Sequence, residues 1–79
     1  MIKYKIDVGD ALERAGINMY KAKKTKILSQ DTLKKIKNED TGISLETINR
    51  ICAILDVQPK DLIMYVEDEK EKEKLFENF

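Results

Sequence analysis

Four small polar residues, Asp7, Asn18, Ser29 and Ser44, each stand at the head of a helix-favouring stretch, and this constrains the chain to a series of short helices. A side-chain oxygen in that place accepts a hydrogen bond from a backbone N–H that the first helical turn leaves without a partner. After Asp7, the apolar residues Val8, Ala11, Leu12 and Ala15 fall at i, i+3, i+4 and i+7, and Gly16 supplies a stop. A first helix ending near Ala15 follows. After Asn18, the residues from Met19 to about Lys26 favour a short second helix, with Tyr20 and Ala22 among its few uncharged positions. After Ser29, Leu33 and Ile36 share an inward face while Gln30, Asp31, Lys34 and Lys35 point elsewhere, which defines a third. The segment NEDTGIS, Asn38 to Ser44, breaks the periodicity with Gly42 and polar turn formers. Ser44 then heads one apolar stripe, Leu45, Ile48, Ile51, Cys52 and Leu55, as a fourth helix.

The flanks are less regular. Ile2, Tyr4 and Ile6 alternate with Lys3 and Lys5, the period of a half-buried extended segment. Asp56-Val57-Gln58 reads as a turn, and Pro59 suits the first position of a fifth helix because its missing N–H would have no partner there. That helix is expected from Pro59 to about Tyr65, with Leu62, Ile63 and Val66 inward. Beyond Val66 the run EDEKEKEK is followed by LFENF. The charged run is either disordered or a helix supported by Glu67–Lys70, Glu69–Lys72 and Glu71–Lys74 pairs. Leu75, Phe76 and Phe79 stand at i, i+1 and i+4, which suits a helix end docked on a neighbouring subunit; a frayed terminus is the other reading.

A chain of 79 residues supports one domain. At that size a core supplies only about 3–5 kcal/mol without a staple. Cys52 is the only cysteine and there is no histidine, so neither an internal disulfide nor a zinc set of thiolates and imidazoles is available. No cofactor is expected. Cys52 has no cation or second thiol near it in sequence and is expected to be core. Tyr4, Tyr20 and Tyr65 are expected to pack with a wet hydroxyl and not to stack on bases. The longest apolar runs, Ile51 to Leu55 and Leu62 to Val66, are five residues each. A bilayer needs roughly 20, and the N-terminus MIKYKIDVGD lacks the apolar region of a signal peptide, so a cytoplasmic protein is expected. Catalysis is not. The only serines are Ser29 and Ser44, no glycine-rich phosphate loop is present, and the carboxylates fall in solvated runs with no apolar wall to raise a pKa.

Fifteen basic residues balance fifteen acidic ones, yet the charge is not evenly spread. Residues 1–37 hold ten Lys and Arg against four acids, a balance of +6, and residues 38–79 hold five against eleven, a balance of −6. Seven of the ten N-terminal cations lie in KAKKTKILSQDTLKKIK, Lys21 to Lys37. The neutral total hides a dipole whose positive pole is local.

Two short helices joined by a tight turn, the second opening S-x-x-T, then a polar loop, an IC-containing helix and a Q-P-x-D-L helix form a series that resembles the Cro- and phage-repressor-like (XRE) helix-turn-helix family. The likeness runs from Met1 to about Glu67, and SLETINRICAILDVQPKDLIMYV is its most specific part. It implies an all-α fold, a five-helix bundle of the repressor-like helix-turn-helix type with a short N-terminal extended segment. It also implies that the third helix enters the major groove while the second lies across the DNA backbone. Residues 1–66 would form the DNA-binding domain and 67–79 a charged tail. Two positions depart from the family. Many relatives have a glycine in the turn and an alanine inside the second helix; aligned on Ser29, those positions hold Ile27 and Lys23. A lysine cannot sit where the two helices touch, so the second helix is expected to be longer or rotated, with Ile27 and Leu28 filling the gap.

On this resemblance Gln30, Asp31 and Lys35 read bases, with Lys34 beside them on the outward face. Gln bonds adenine bidentately, Lys donates to guanine, and Asp accepts from cytosine N4. Lys21, Lys23, Lys24 and Lys26 are expected on the phosphate backbone, where charge and reach suffice without a fixed donor pattern. Ser29, Thr32, Lys37 and Asn38 are further backbone candidates. The blander alternative is that all of these are solvated surface residues around a helix cap.

The expected partner is therefore double-stranded DNA, bound without catalysis, membrane or evident small-molecule effector. A homodimer would meet half-sites about 34 Å apart, because one short helix touches too few base pairs to specify a site. The rival is a protein-interaction module, antitoxin-like or adaptor, that keeps the fold without specific DNA binding.

Overall fold

The computed structural model describes residues 1–78. In chain order the elements are β1 (Ile2–Tyr4), α1 (Val8–Arg14), α2 (Met19–Thr25), α3 (Gln30–Lys37), α4 (Leu45–Leu55), α5 (Pro59–Leu62), β2 (Ile63–Tyr65) and α6 (Glu69–Phe76). The four expected caps all form. Asp7 accepts from the Asp10 N–H at 3.0 Å, Asn18 from Lys21 at 2.8 Å, Ser29 from Thr32 at 3.1 Å and Ser44 from Thr47 at 3.1 Å. α1 ends at Ala15 and Gly16, whose φ of 90° is open to glycine. At the head of α5 the Asp61 carboxylate accepts from the Gln58 N–H at 2.9 Å.

The fifth helix is shorter than its sequence suggests. It makes a single turn to Leu62, and Ile63–Tyr65 then runs extended, antiparallel to β1, with Ile2 opposite Tyr65 and Tyr4 opposite Ile63. Bonds from Lys5 N–H to the Leu62 carbonyl and from Val66 N–H to the Met1 carbonyl, both 2.8 Å, lengthen the ladder at its two ends. Pairing outweighs helical continuation because a four-residue helix is all nucleus and no propagation, while β1 offers a ready edge. The bundle is thus mostly helical with a two-stranded sheet, and it carries α6 as a sixth helix.

Val8 and Leu12 of α1, Leu33 and Ile36 of α3, Ile51 of α4 and Leu62 of α5 meet in the core, joined by Ala22 and Leu28. Half-buried Cys52 packs against this cluster. Leu45 departs from the expected stripe: it is 85% exposed. Six residues before Ile51, it points about 120° away round the helix.

β1 also braces the loop between α3 and α4. The Tyr4 hydroxyl donates to the Asp40 carbonyl at 2.7 Å, and burial with the nearby Asp40 carboxylate raises the Tyr4 pKa above its ordinary value. Past the sheet, Asp68 caps α6, accepting from Lys70 and Glu71 N–H groups. Ion pairs on this segment join Lys72 to Glu67 at 2.7 Å, five residues apart in place of the expected spacings of three, and Glu71 to the Met1 amine at 3.6 Å. Leu75 and Phe76 are exposed. The expectation for Phe79 lies outside the described residues.

Candidate nucleic-acid interface

Leu33 and Ile36 fix the rotation of α3 by facing the core. Counting about 100° per residue from them, Asp31, Lys34 and Lys35 point most directly outward and Gln30 stands at the flank of that face. All four are exposed. The structure therefore brings the four expected base-reading residues onto one open surface. Lys35 is not extended there: its Nζ donates to the Gly42 carbonyl at 3.2 Å, against the α3–α4 loop.

Ser29 and Thr32 are tied to each other at the start of α3, the Ser29 hydroxyl donating to Thr32 Oγ1 at 2.7 Å. Ser29 thus has the cap as its first duty, and Thr32 is half-buried. At the other end, Asn38 closes the helix through N–H bonds to the Lys34 and Lys35 carbonyls, and its side chain is exposed with that of Lys37. Lys21, Lys23 and Lys24 are exposed on α2, and Lys24 Nζ lies 5.9 Å from the centre of the Tyr20 ring.

The joint between α2 and α3 corrects the alignment drawn from Ser29. α2 is not lengthened; it ends at Thr25, with Lys26 as its cap in left-handed backbone, φ 58° and ψ 22°. Its buried residue is Ala22. The small residue and the left-handed residue therefore each fall one position earlier than Lys23 and Ile27, so the turn is one residue longer than that alignment allows. Lys23 stays in solvent without rotating the helix. Of the pair expected to fill the gap, Leu28 does so and Ile27 is 38% exposed.

One participant is visible only in three dimensions. Arg50, on α4, donates from Nη1 to the Ile27 carbonyl at 3.0 Å and from Nε to Glu46 at 3.3 Å. Together with Lys23, Lys26, Ser29 and Gln30 it borders a shallow depression floored by Ala22 and Leu28. The Glu46–Arg50 spacing of four is a visible helix pair in the sequence. Its link to the turn is not.

The chemistry on offer is recognition by charge and hydrogen bonds. Among the described residues no group of three or more His, Cys, Asp or Glu could hold a metal ion, and no helix is long and apolar enough to cross a membrane.

Two helices set against a shared core by a tight turn, the second showing a polar face edged by lysines, define a helix-turn-helix domain. The family model for the Cro/C1-type HTH DNA-binding domain matches residues 11–68. The chain belongs to that family and is a DNA-binding transcription regulator. No curated protein and no solved structure matches it.

Proposed function

We propose that this protein regulates transcription in the cytoplasm as a homodimer that binds duplex DNA sequence-specifically, without catalysis or a cofactor. α3 enters the major groove. Gln30, Asp31, Lys34 and Lys35 read base edges, Lys35 exchanging the Gly42 carbonyl for a base acceptor. Lys21, Lys23, Lys24 and Lys26 neutralise phosphates, joined by Ser29, Thr32, Lys37 and Asn38. Residues 1–66 form the binding domain, and 67–79 an appendage that contributes to the dimer contact. The observation that carries this reading is the exposed polar face of α3, held in rotation by Leu33 and Ile36, beside exposed α2 lysines.

If about five phosphates are neutralised per subunit, the logarithm of affinity falls against log salt with a slope near −4 to −5 per subunit, at roughly −0.9 each. Anisotropy titration with mixed duplex DNA at low salt tests the reading, and an absence of binding there sinks it. Lys35→Ala against Lys24→Ala sharpens the test. The first loses discrimination between sequences, and the second weakens binding to all of them alike. Equal effects on every sequence would remove Lys35 from base reading.

An apolar groove lined by Ile2, Ile43, Leu45, Ile48 and Ile63 favours a protein contact as well. It accommodates the rival of a protein-interaction module, which the same low-salt titration separates from a DNA binder.

A further inference from the structure

We propose that Arg50 is a positioning residue: by holding the Ile27 carbonyl it sets the angle between α2 and α3, and through that angle the discrimination among DNA sequences. The inference rests on the proposed binding mode. α2 is poorly anchored by packing. Its one buried residue is Ala22, whose side chain is a single methyl, and Met19 packs half-buried on the core at its first turn, whereas α3 sends Leu33 and Ile36 into the core. The connecting turn is equally lean. It runs from Lys26 to Ser29, has no glycine at its left-handed position, and buries only Leu28. Packing therefore fixes the start of α2 and leaves its end at the turn, where Lys23, Lys24 and Thr25 are exposed, without a buried anchor.

Arg50 supplies the missing constraint from outside the motif. It stands on α4 beside Ile51, which is 0% exposed, so its backbone belongs to the most deeply fixed part of the fold. A planar guanidinium held at two nitrogens cannot swivel as an ammonium can. Here Nε meets the Glu46 carboxylate and Nη1 the Ile27 carbonyl. The line of support runs from the core through α4 and Arg50 to the middle of the turn. That turn joins the lysines placed on phosphates to the helix placed on bases, and both sets must engage one duplex together. A looser turn still permits charge-driven binding and degrades the register in which bases are read.

A competing role is direct phosphate contact, since the Arg50 side chain is 50% exposed. The two roles differ in what they change. A phosphate contact acts on every sequence equally and lowers the salt slope by about 0.9 per subunit. A positioning residue lowers the ratio of affinities for selected and scrambled duplex.

The test uses the full chain and a duplex that it selects from random DNA, with a scrambled duplex as reference, by anisotropy over a salt series. Arg50→Lys keeps the charge and removes the two-point hold; its affinity ratio is expected to fall about tenfold with an unchanged salt slope, comparable to losing one good base contact. Glu46→Ala leaves Arg50 in place but removes the acceptor of its Nε, and it makes the chain one unit more positive. Electrostatics alone would tighten binding to all sequences without loss of ratio, whereas the positioning role predicts a lower ratio despite the added charge. Thermal melts of both variants accompany the titrations, and if Arg50→Lys fails to fold, Glu46→Ala decides. A full wild-type ratio in Glu46→Ala, or in a folded Arg50→Lys, overturns the inference while leaving the DNA-binding function intact. A wild-type protein that selects no sequence overturns both.

Discussion

Lys26 offers the sharpest check on the helix-turn-helix joint, because one residue there carries both backbone strain and charge. Its φ of 58° and ψ of 22° put a residue with a Cβ in the left-handed region. That conformation costs about 1–2 kcal/mol for an ordinary L-residue and nothing comparable for glycine. Glycine loses about 0.4–1 kcal/mol more to the entropy of the unfolded chain. Lys26→Gly should therefore be more stable than Lys26→Ala by about 0.5–1 kcal/mol, a melting-temperature gap of roughly 2–8 °C for a domain of this size. Alanine is the proper reference, since both variants lose the same charge and the same stem. Both should also show a salt slope less negative by about 0.9 per subunit. Ile27→Gly serves as the register control. Ile27 is not among the positive-φ residues, so glycine there relieves nothing and should destabilise relative to Ile27→Ala. Urea or thermal unfolding followed by circular dichroism reads all four variants. If the glycine benefit appears at Ile27 and not at Lys26, the longer turn is wrong and the alignment on Ser29 is right.

Three further outcomes follow from other parts of the molecule. Ile51→Ala removes a side chain that is 0% exposed at the meeting of α1, α3 and α4, and should cost about 2–5 kcal/mol. In a domain this small that is most of the stability, so circular dichroism should show a largely unfolded chain at 37 °C. Tyr4→Phe deletes the 2.7 Å bond to the Asp40 carbonyl, worth about 0.5–1.5 kcal/mol in urea melts near neutral pH. The sign of its pH dependence is set by the raised Tyr4 pKa: the wild type holds that stabilisation below the ordinary tyrosine value of 10.0 and loses it as pH rises through the higher folded value. The phenylalanine variant should lack this alkaline decline, and an equally steep decline in both would assign it to other groups. A chain ending at Val66 should sediment as a monomer where the full chain sediments as a dimer, and equal masses would remove residues 67–79 from the interface.

How far the sequence discloses this molecule depends on the distance over which each contact acts. Asp7, Asn18, Ser29 and Ser44 bond N–H groups three residues away, so their helices can be read from adjacent letters. The same locality makes the outward face of α3 readable, because Leu33 and Ile36 fix its rotation by spacing alone. Ile63–Tyr65 fails as a helix for the opposite reason: the segment that claims it is Ile2–Tyr4, at the far end of the chain, and nothing near Pro59 announces the exchange. Leu45 misleads because it stands at helical spacing from Cys52 yet about 120° round the helix from Ile51, the residue that faces the core.

The errors at the joint are of another kind. A left-handed residue in a tight turn is usually marked by glycine, and here Lys26 takes the conformation unmarked, so alignment slid by one residue and made Lys23 look like an intruder between two helices. Ala22 is the small residue at that contact. What a lysine cannot supply in conformational ease must be held from elsewhere, and the hold is a carbonyl of the turn bound to Arg50, 23 residues further on. A backbone acceptor has no letter of its own. Local rules therefore break at the one joint where placing lysines on phosphates must agree with placing α3 on bases, as expected where function and not local preference selects the residue.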